Sequence, residues 1–141
     1  AEMRFGVGRE FQEGTAIMLT LGTGIGSAVF TADHLVPNTE FGHLKIKGKD
    51  AELLASDGAR RRRKLSWKAW GRILEKYLDT MESLFWPDVF ILGGGGSKYF
   101  DKVSPHIHIR TPMVTAQFLN AAGIIGAAAG TSYTLETSSP E

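Results

Sequence analysis

Two apolar, β-favouring runs in this chain lead directly into glycine clusters, and that pairing restricts its fold more than any other feature. Thr15-Ala-Ile-Met-Leu-Thr-Leu21 leads into Gly22-Thr-Gly-Ile-Gly26, and Val89-Phe-Ile-Leu92 leads into Gly93-Gly-Gly-Gly96. The second run is short and continuous, as a strand buried on both faces is. The first is followed by Ser27-Ala-Val-Phe-Thr31, so the pair reads as a hairpin with a glycine-rich tip. His34-Leu-Val36, stopped by Pro37-Asn38, extends it as a meander. Glycine lets backbone N–H groups close around an anion with no Cβ in the way, and phosphate is the usual guest. The plain alternative for either cluster is a tight turn. Standard phosphate fingerprints fail: G-x-G-x-x-G begun at Gly22 meets Ser27, begun at Gly24 it meets Val29, and Lys98 follows Ser97 rather than the glycine of a P-loop.

The charge balance decides what kind of anion site this can be. Sixteen Lys+Arg against fifteen Asp+Glu leave a formal +1, too little to attract nucleic acid or a membrane surface in bulk. No such partner is expected, and any polyanion site must be local. A chain of 141 residues can bury roughly 68–70% of its unfolded surface, enough for one real core. The absence of cysteine excludes disulfides and thiolate metal sites and leaves a reducing cytoplasm as the default compartment. The longest apolar stretch, Ala121 to Gly130, is well short of the ~20 residues that span a bilayer.

Helical periodicity is clearest at Trp67, Trp70, Ile73, Leu74, Tyr77, Leu78, Met81, Leu84 and Phe85, spaced by threes and fours. Ser66 is its predicted N-cap, Leu65 and Trp70 stand at the staple positions, and Pro87 stops it near Trp86. Ala51 to Arg63 also reads as helix, with Gly58 inside it. Ile107-His-Ile109 reads as a strand whose neighbouring His106 and His108 share one face. With no third ligand in view, that face is a solvated edge, and no metal is assigned. Arg60-Arg-Arg-Arg63-Lys64 would wrap a helix rather than form one flat face; it is read as solvated surface, with capture of a long phosphate chain as the alternative. Asn120 to Gly130 reads as a terminal helix, and 131–141 as a disordered polar tail beyond a domain of residues 1–130. Ala1 to Arg9 reads as the end of a helix begun earlier, in the middle of a larger fold.

Glu40-Phe-Gly-His43 sets a carboxylate and an imidazole three residues apart after a turn, a pair suited to sugar hydroxyls; a surface Glu beside a structural His is the alternative. Together these motifs resemble the ROK family of sugar kinases and repressors, and within it the polyphosphate (ATP) glucokinases. Leu21-Gly-Thr-Gly-Ile-Gly-Ser-Ala28 is similar to the family's second phosphate motif, and Glu40-Phe-Gly-His43 to its sugar signature. Asp50-Ala-Glu52 is similar to the position of a further sugar-contacting glutamate, Ile91-Leu-Gly-Gly-Gly95 with Ser97-Lys98 to the donor loop, and Asn120 to Ala127 to the closing helix.

The resemblance implies an α/β fold: the C-terminal lobe of the actin-like (ribonuclease H-like) ATPase fold, a mixed sheet with flanking helices. It implies transfer of phosphate from polyphosphate or ATP to the 6-hydroxyl of glucose, with mannose as a further acceptor, Mg2+ accompanying the donor, and a homodimer. Glu40, His43 and Glu52 would bind sugar; Gly22, Thr23, Gly24, Gly93, Gly94, Gly95 and Lys98 would bind phosphate. The zinc motif of the wider family is missing, since Leu44 leads to Asp50 without cysteine. Gly96 stands where the family carries an apolar residue, which would loosen the loop. The family's N-terminal phosphate loop and catalytic aspartate lie outside these residues, so no catalytic residue is assigned in this chain, a partner N-terminal lobe is implied, and the isolated chain is expected to be inactive. The alternative is a non-catalytic sugar-sensing module of the ROK repressor type.

Overall fold

The computed structural model describes residues 2–118. The predicted closing helix and polar tail lie outside the described residues. A helical turn α1 (Glu2–Phe5) and a 3-10 turn (Val7–Phe11) lead into β1 (Thr15–Leu21), β2 (Ile25–Thr31) and β3 (His34–Val36). A 3-10 turn at Phe41–His43 follows, then β4 (Lys45–Ile46) and β5 (Lys49–Asp50), joined through Lys47 and Gly48, both at positive φ. Two short helices, α2 (Glu52–Ala55) and α3 (Asp57–Arg62), precede the long α4 (Trp67–Phe85). The remainder is β6 (Val89–Gly93), a 3-10 turn (Gly95–Tyr99), α5 (Phe100–Val103), a 3-10 turn (Ser104–His106) and β7 (Met113–Thr115).

One five-stranded mixed sheet, ordered β3-β2-β1-β6-β7, organises the fold. The hairpin and meander pair antiparallel, whereas β1–β6 and β6–β7 are parallel. Because strand side chains alternate, Ile17, Leu19, Leu21, Phe90 and Leu92 meet Trp70, Leu74, Tyr77, Leu78 and Met81 of α4 on one face. Ala16, Val89 and Ile91 pack with Met3 and Ala116 on the other. Helical segments cover both faces, which is why β6 is buried at every residue and shows no polar alternation. The Ser66 hydroxyl caps α4 by accepting from the Ala69 N–H at 3.1 Å, and Trp86 ends it in the left-handed region at φ 48°. Among the described residues no helix is long and apolar enough to cross a membrane.

Three local expectations differ from the structure. The stretch 51–63 is not one helix: Ser56 turns extended (ψ 157°) and its Oγ accepts from the Ala59 N–H, so it starts α3 as an N-cap. Ile107–Ile109 is not a strand, because the His108 N–H is taken by the Glu75 carboxylate at 2.6 Å; the sheet is instead extended by Met113–Thr115. Gly96 does not loosen its loop. It is buried, and a Cβ there would stand 2.9 Å from the Leu21 carbonyl oxygen and 3.1 Å from the Asp57 Cβ.

Candidate functional site

Thr20 and Gly93 are paired in the parallel β1–β6 ladder, so both glycine turns leave the same edge of the sheet, at the C-terminal ends of adjacent strands. In open α/β sheets that is where ligands bind. The turns are in contact. Gly94 has φ +78°, and a Cβ on it would stand 2.8–3.0 Å from the backbone of Leu21, immediately before the first turn. α3 is wedged against both: the Gly58 N–H donates to the Gly22 carbonyl at 2.9 Å, and Gly96 abuts Asp57. Within the first turn the Gly22 N–H is spent on the Gly24 carbonyl (3.0 Å). The backbone N–H groups of Thr23 and Gly24 donate to no other described residue. In the second turn the Ser97 N–H and hydroxyl both donate to the Gly94 carbonyl, while Gly95 faces open space. Lys98 is exposed, its ammonium 5.4 Å from the Tyr99 ring centre.

Of the carboxylates predicted to hold sugar, Glu52 meets the first of these turns. Glu52 opens α2, and its Oε2 lies 2.7 Å from where a Cβ on Gly24 would be. The same oxygen and Glu40 Oε1 are each 3.6 Å from the equivalent point on Gly42. The His43 Nδ1–H donates to Asp50 Oδ2 at 3.1 Å. Ligand atoms of His43, Asp50 and Glu52 all fall within 4.8 Å of one another. Glu40, His43, Glu52 and the Gly22–Gly24 turn thus converge. His106 and His108 do not join them; with Lys68, Arg72 and Glu75 they line a separate cleft of about 290 Å³.

No protein-family model matches the chain. It is 44% identical over 128 residues to polyphosphate glucokinase of Mycobacterium tuberculosis, a match covering 91% of this chain and 48% of that protein. Its fold superposes with TM-score 0.89 on the inorganic polyphosphate/ATP-glucomannokinase of Arthrobacter sp. strain KM, at 47% identity over 94% of this chain and 52% of that one. The chain is similar to the polyphosphate glucokinases and has the ROK sugar-kinase fold. A ROK family glucokinase from Streptomyces griseus, solved with glucose and AMPPNP, shares the fold alone, with TM-score 0.72 at 22% identity. The chain spans about half the length of the curated relatives it matches.

The supports of the lobe's Glu40–His43 turn were not legible as site residues. The Phe41 N–H donates to Ser27 Oγ (2.9 Å), and the Phe41 carbonyl accepts from the Tyr77 hydroxyl (2.9 Å) and the Leu44 N–H (3.1 Å). Tyr77 is fully buried. Burial first, then the negative charges of Glu40 and Glu52, push its phenol well above the ordinary range, so it stays a donor. Trp70 anchors α2 by donating from Nε1 to the Ala55 carbonyl at 2.9 Å. Only the periodicity of α4 marked Tyr77, and periodicity with a staple position marked Trp70; both signals report burial without saying what a polar tip touches.

Asp50 belongs to the same framework. β4 and β5 pair Lys45 with Asp50 in register, and the Lys45 ammonium and the His43 ring both bond the carboxylate. Lys45, then His43, hold the Asp50 carboxyl below its usual range. His43, Asp50 and Glu52 have metal-ligand chemistry, yet the Lys45 ammonium already supplies the positive charge at Asp50. With Nδ1–H donated to Asp50, the other ring nitrogen of His43 is an acceptor.

Proposed function

We propose that this lobe serves a kinase that transfers a phosphoryl group from inorganic polyphosphate or ATP to the 6-hydroxyl of glucose, and of mannose. The observation that carries the reading is the contact between the two glycine turns at Leu21, with Glu52 set against both Gly24 and Gly42. That arrangement brings the backbone of the Gly22–Gly24 turn and the carboxylates of Glu40 and Glu52 within one small region, which supports a reading as an in-line phosphoryl-transfer site. Glu40 and Glu52 accept hydrogen bonds from sugar hydroxyls, and His43 accepts one at the nitrogen that Asp50 leaves free. The open N–H groups of Thr23 and Gly24, in the turn closed by Gly22, face the transferred phosphate. Gly93, Gly94 and Gly95 border the rest of the donor, and Lys98 reaches its charge.

The base that takes the hydroxyl proton comes from an N-terminal lobe outside these 141 residues, which makes the isolated chain inactive; base catalysis alone accounts for ~10²–10⁴ in rate. Mg2+ bound with the donor would supply charge neutralisation at its phosphates. Asp50 is committed to Lys45 and His43, so the ion would be held mainly by donor oxygens and water, in keeping with its reluctance to dehydrate. The kinase is a cytoplasmic homodimer built around residues 1–130. Relatives at 44–47% identity bear kinase names, which favours catalysis over a sugar-sensing role.

The test is glucose binding to the intact kinase by calorimetry. Glu40→Gln removes a charged hydrogen-bonding partner and weakens binding by about 1.5–3 kcal/mol. An unchanged dissociation constant refutes the sugar role.

A further inference from the structure

The five-cation run Arg60–Lys64 has no role in the site so far, and the structure divides it. Arg60 is spent on packing: its Nε donates to Asp57 Oδ1 at 2.9 Å, and its guanidinium lies 4.6 Å from the Trp67 ring centre and 5.2 Å from that of Tyr99. Arg61 pairs with the other Asp57 oxygen at 3.2 Å. Arg63 and Lys64 lie past the end of α3 and are exposed. Arg62 is different. It has no ion-pair partner among the described residues, and its side chain folds back over Gly58. A Cβ on Gly58 would be 3.1 Å from Arg62 Nη1 and 2.5 Å from the Thr23 carbonyl oxygen. The guanidinium therefore lies beside the Gly22–Gly24 turn, exposed and uncompensated.

We propose that Arg62 is a donor-binding residue, clamping the phosphoanhydride chain as it enters the Gly22–Gly24 turn. The proposal rests on the kinase reading above. An arginine fork suits phosphate oxygens, which it can grip through two parallel N–H donors, whereas an ammonium offers only a point charge. Asp57, the acid of α3, is already paired with Arg60 and Arg61, which leaves Glu52, against Gly24, as the carboxylate beside this turn. The glycine at position 58 is what lets the guanidinium and the turn come together, since any side chain there would separate them. The charge run is thus partly scaffold, through Arg60, and partly ligand contact, through Arg62.

The experiment compares Arg62→Gln, Arg62→Lys and Arg63→Gln in the intact kinase, with long-chain polyphosphate and with ATP, over a range of salt. Arg62→Gln is expected to raise the KM for polyphosphate at least about tenfold and to flatten its salt dependence. Arg62→Lys recovers part of the loss, while Arg63→Gln stays within about twofold of wild type. Glucose affinity and unfolding midpoint stay unchanged in all three. An equal rise with ATP puts the contact on phosphates shared by both donors; a rise with polyphosphate alone puts it further along the chain. Either supports a donor contact. A polyphosphate KM within twofold of wild type in Arg62→Gln, or an equal rise in Arg63→Gln, overturns the proposal. A wild-type kinase that uses neither donor overturns the kinase reading itself, and this proposal with it.

Discussion

Gly58→Ala tests whether α3 positions the first glycine turn. The new Cβ would meet the Thr23 carbonyl oxygen at 2.5 Å and the Thr23 Cα at 3.1 Å. Both are backbone atoms that no side-chain rotation can move away. Ordinary contact begins near 3.4 Å, so the turn must retreat by about 1 Å, a shift that in a positioned site costs on the order of 10² in rate. The stability change is far smaller. Overpacking costs roughly 1–3 kcal/mol, and Ala in place of Gly in a helix restores about 1 kcal/mol, leaving a net loss within about 2 kcal/mol. The expected signature is a fall of about 100-fold in kcat/KM for phosphoryl transfer in a coupled assay on the intact kinase, with a modest shift in the denaturant midpoint and unchanged glucose affinity. A variant that keeps kcat/KM within twofold of wild type refutes the positioning argument. A variant that loses more than about 4 kcal/mol of stability refutes it too, because the contact is then structural before it is positional.

Two further predictions concern the sugar side. Tyr77→Phe removes one of two donors to the Phe41 carbonyl, so it costs about 0.5–1.5 kcal/mol rather than the larger penalty of an orphaned group. Because the folded phenol titrates above its ordinary value of 10.0, the native state keeps a proton that the unfolded chain loses. Wild-type stability therefore falls as pH rises past that value, and the gap between wild type and variant narrows; a pH-independent gap contradicts the assignment. Asp50→Asn frees the His43 ring, and glucose affinity measured by calorimetry falls severalfold with Glu40 intact. Since the folded Asp50 carboxyl titrates below its usual value, the anchor is present at and above the ordinary carboxylate range and is lost only as pH falls through the lowered value. Unaltered affinity together with an unaltered ring tautomer by NMR argues against it.

Long or strongly signposted elements were readable before any coordinates. The Thr15–Leu21 and Val89–Gly93 strands and the Trp67–Phe85 helix follow from continuous apolar runs, threefold and fourfold spacing, and the Ser66 cap. Short elements were not. Met113–Thr115 has three residues, too few to establish a period, and it is a strand because β6 offers an unpaired edge to it. Ile107–Ile109 has better strand composition but lies where the Glu75 carboxylate meets its backbone. Ser56 is of a capping residue type, but helix-forming residues on both sides hide the break that it makes.

Residue types and local spacing marked Glu40, His43, Glu52 and the two glycine clusters as candidates, because conformational freedom, charge and hydrogen-bonding capacity are properties of the residues themselves. Which of them meet depends on strand pairing across more than 70 positions, as Thr20 with Gly93, and that is a matter of global packing. Tertiary contact alone separated Arg60, stacked among aromatic rings, from Arg62, laid beside Thr23. Neighbours two apart in an arginine run are chemically identical; only the surfaces they fold against make them different.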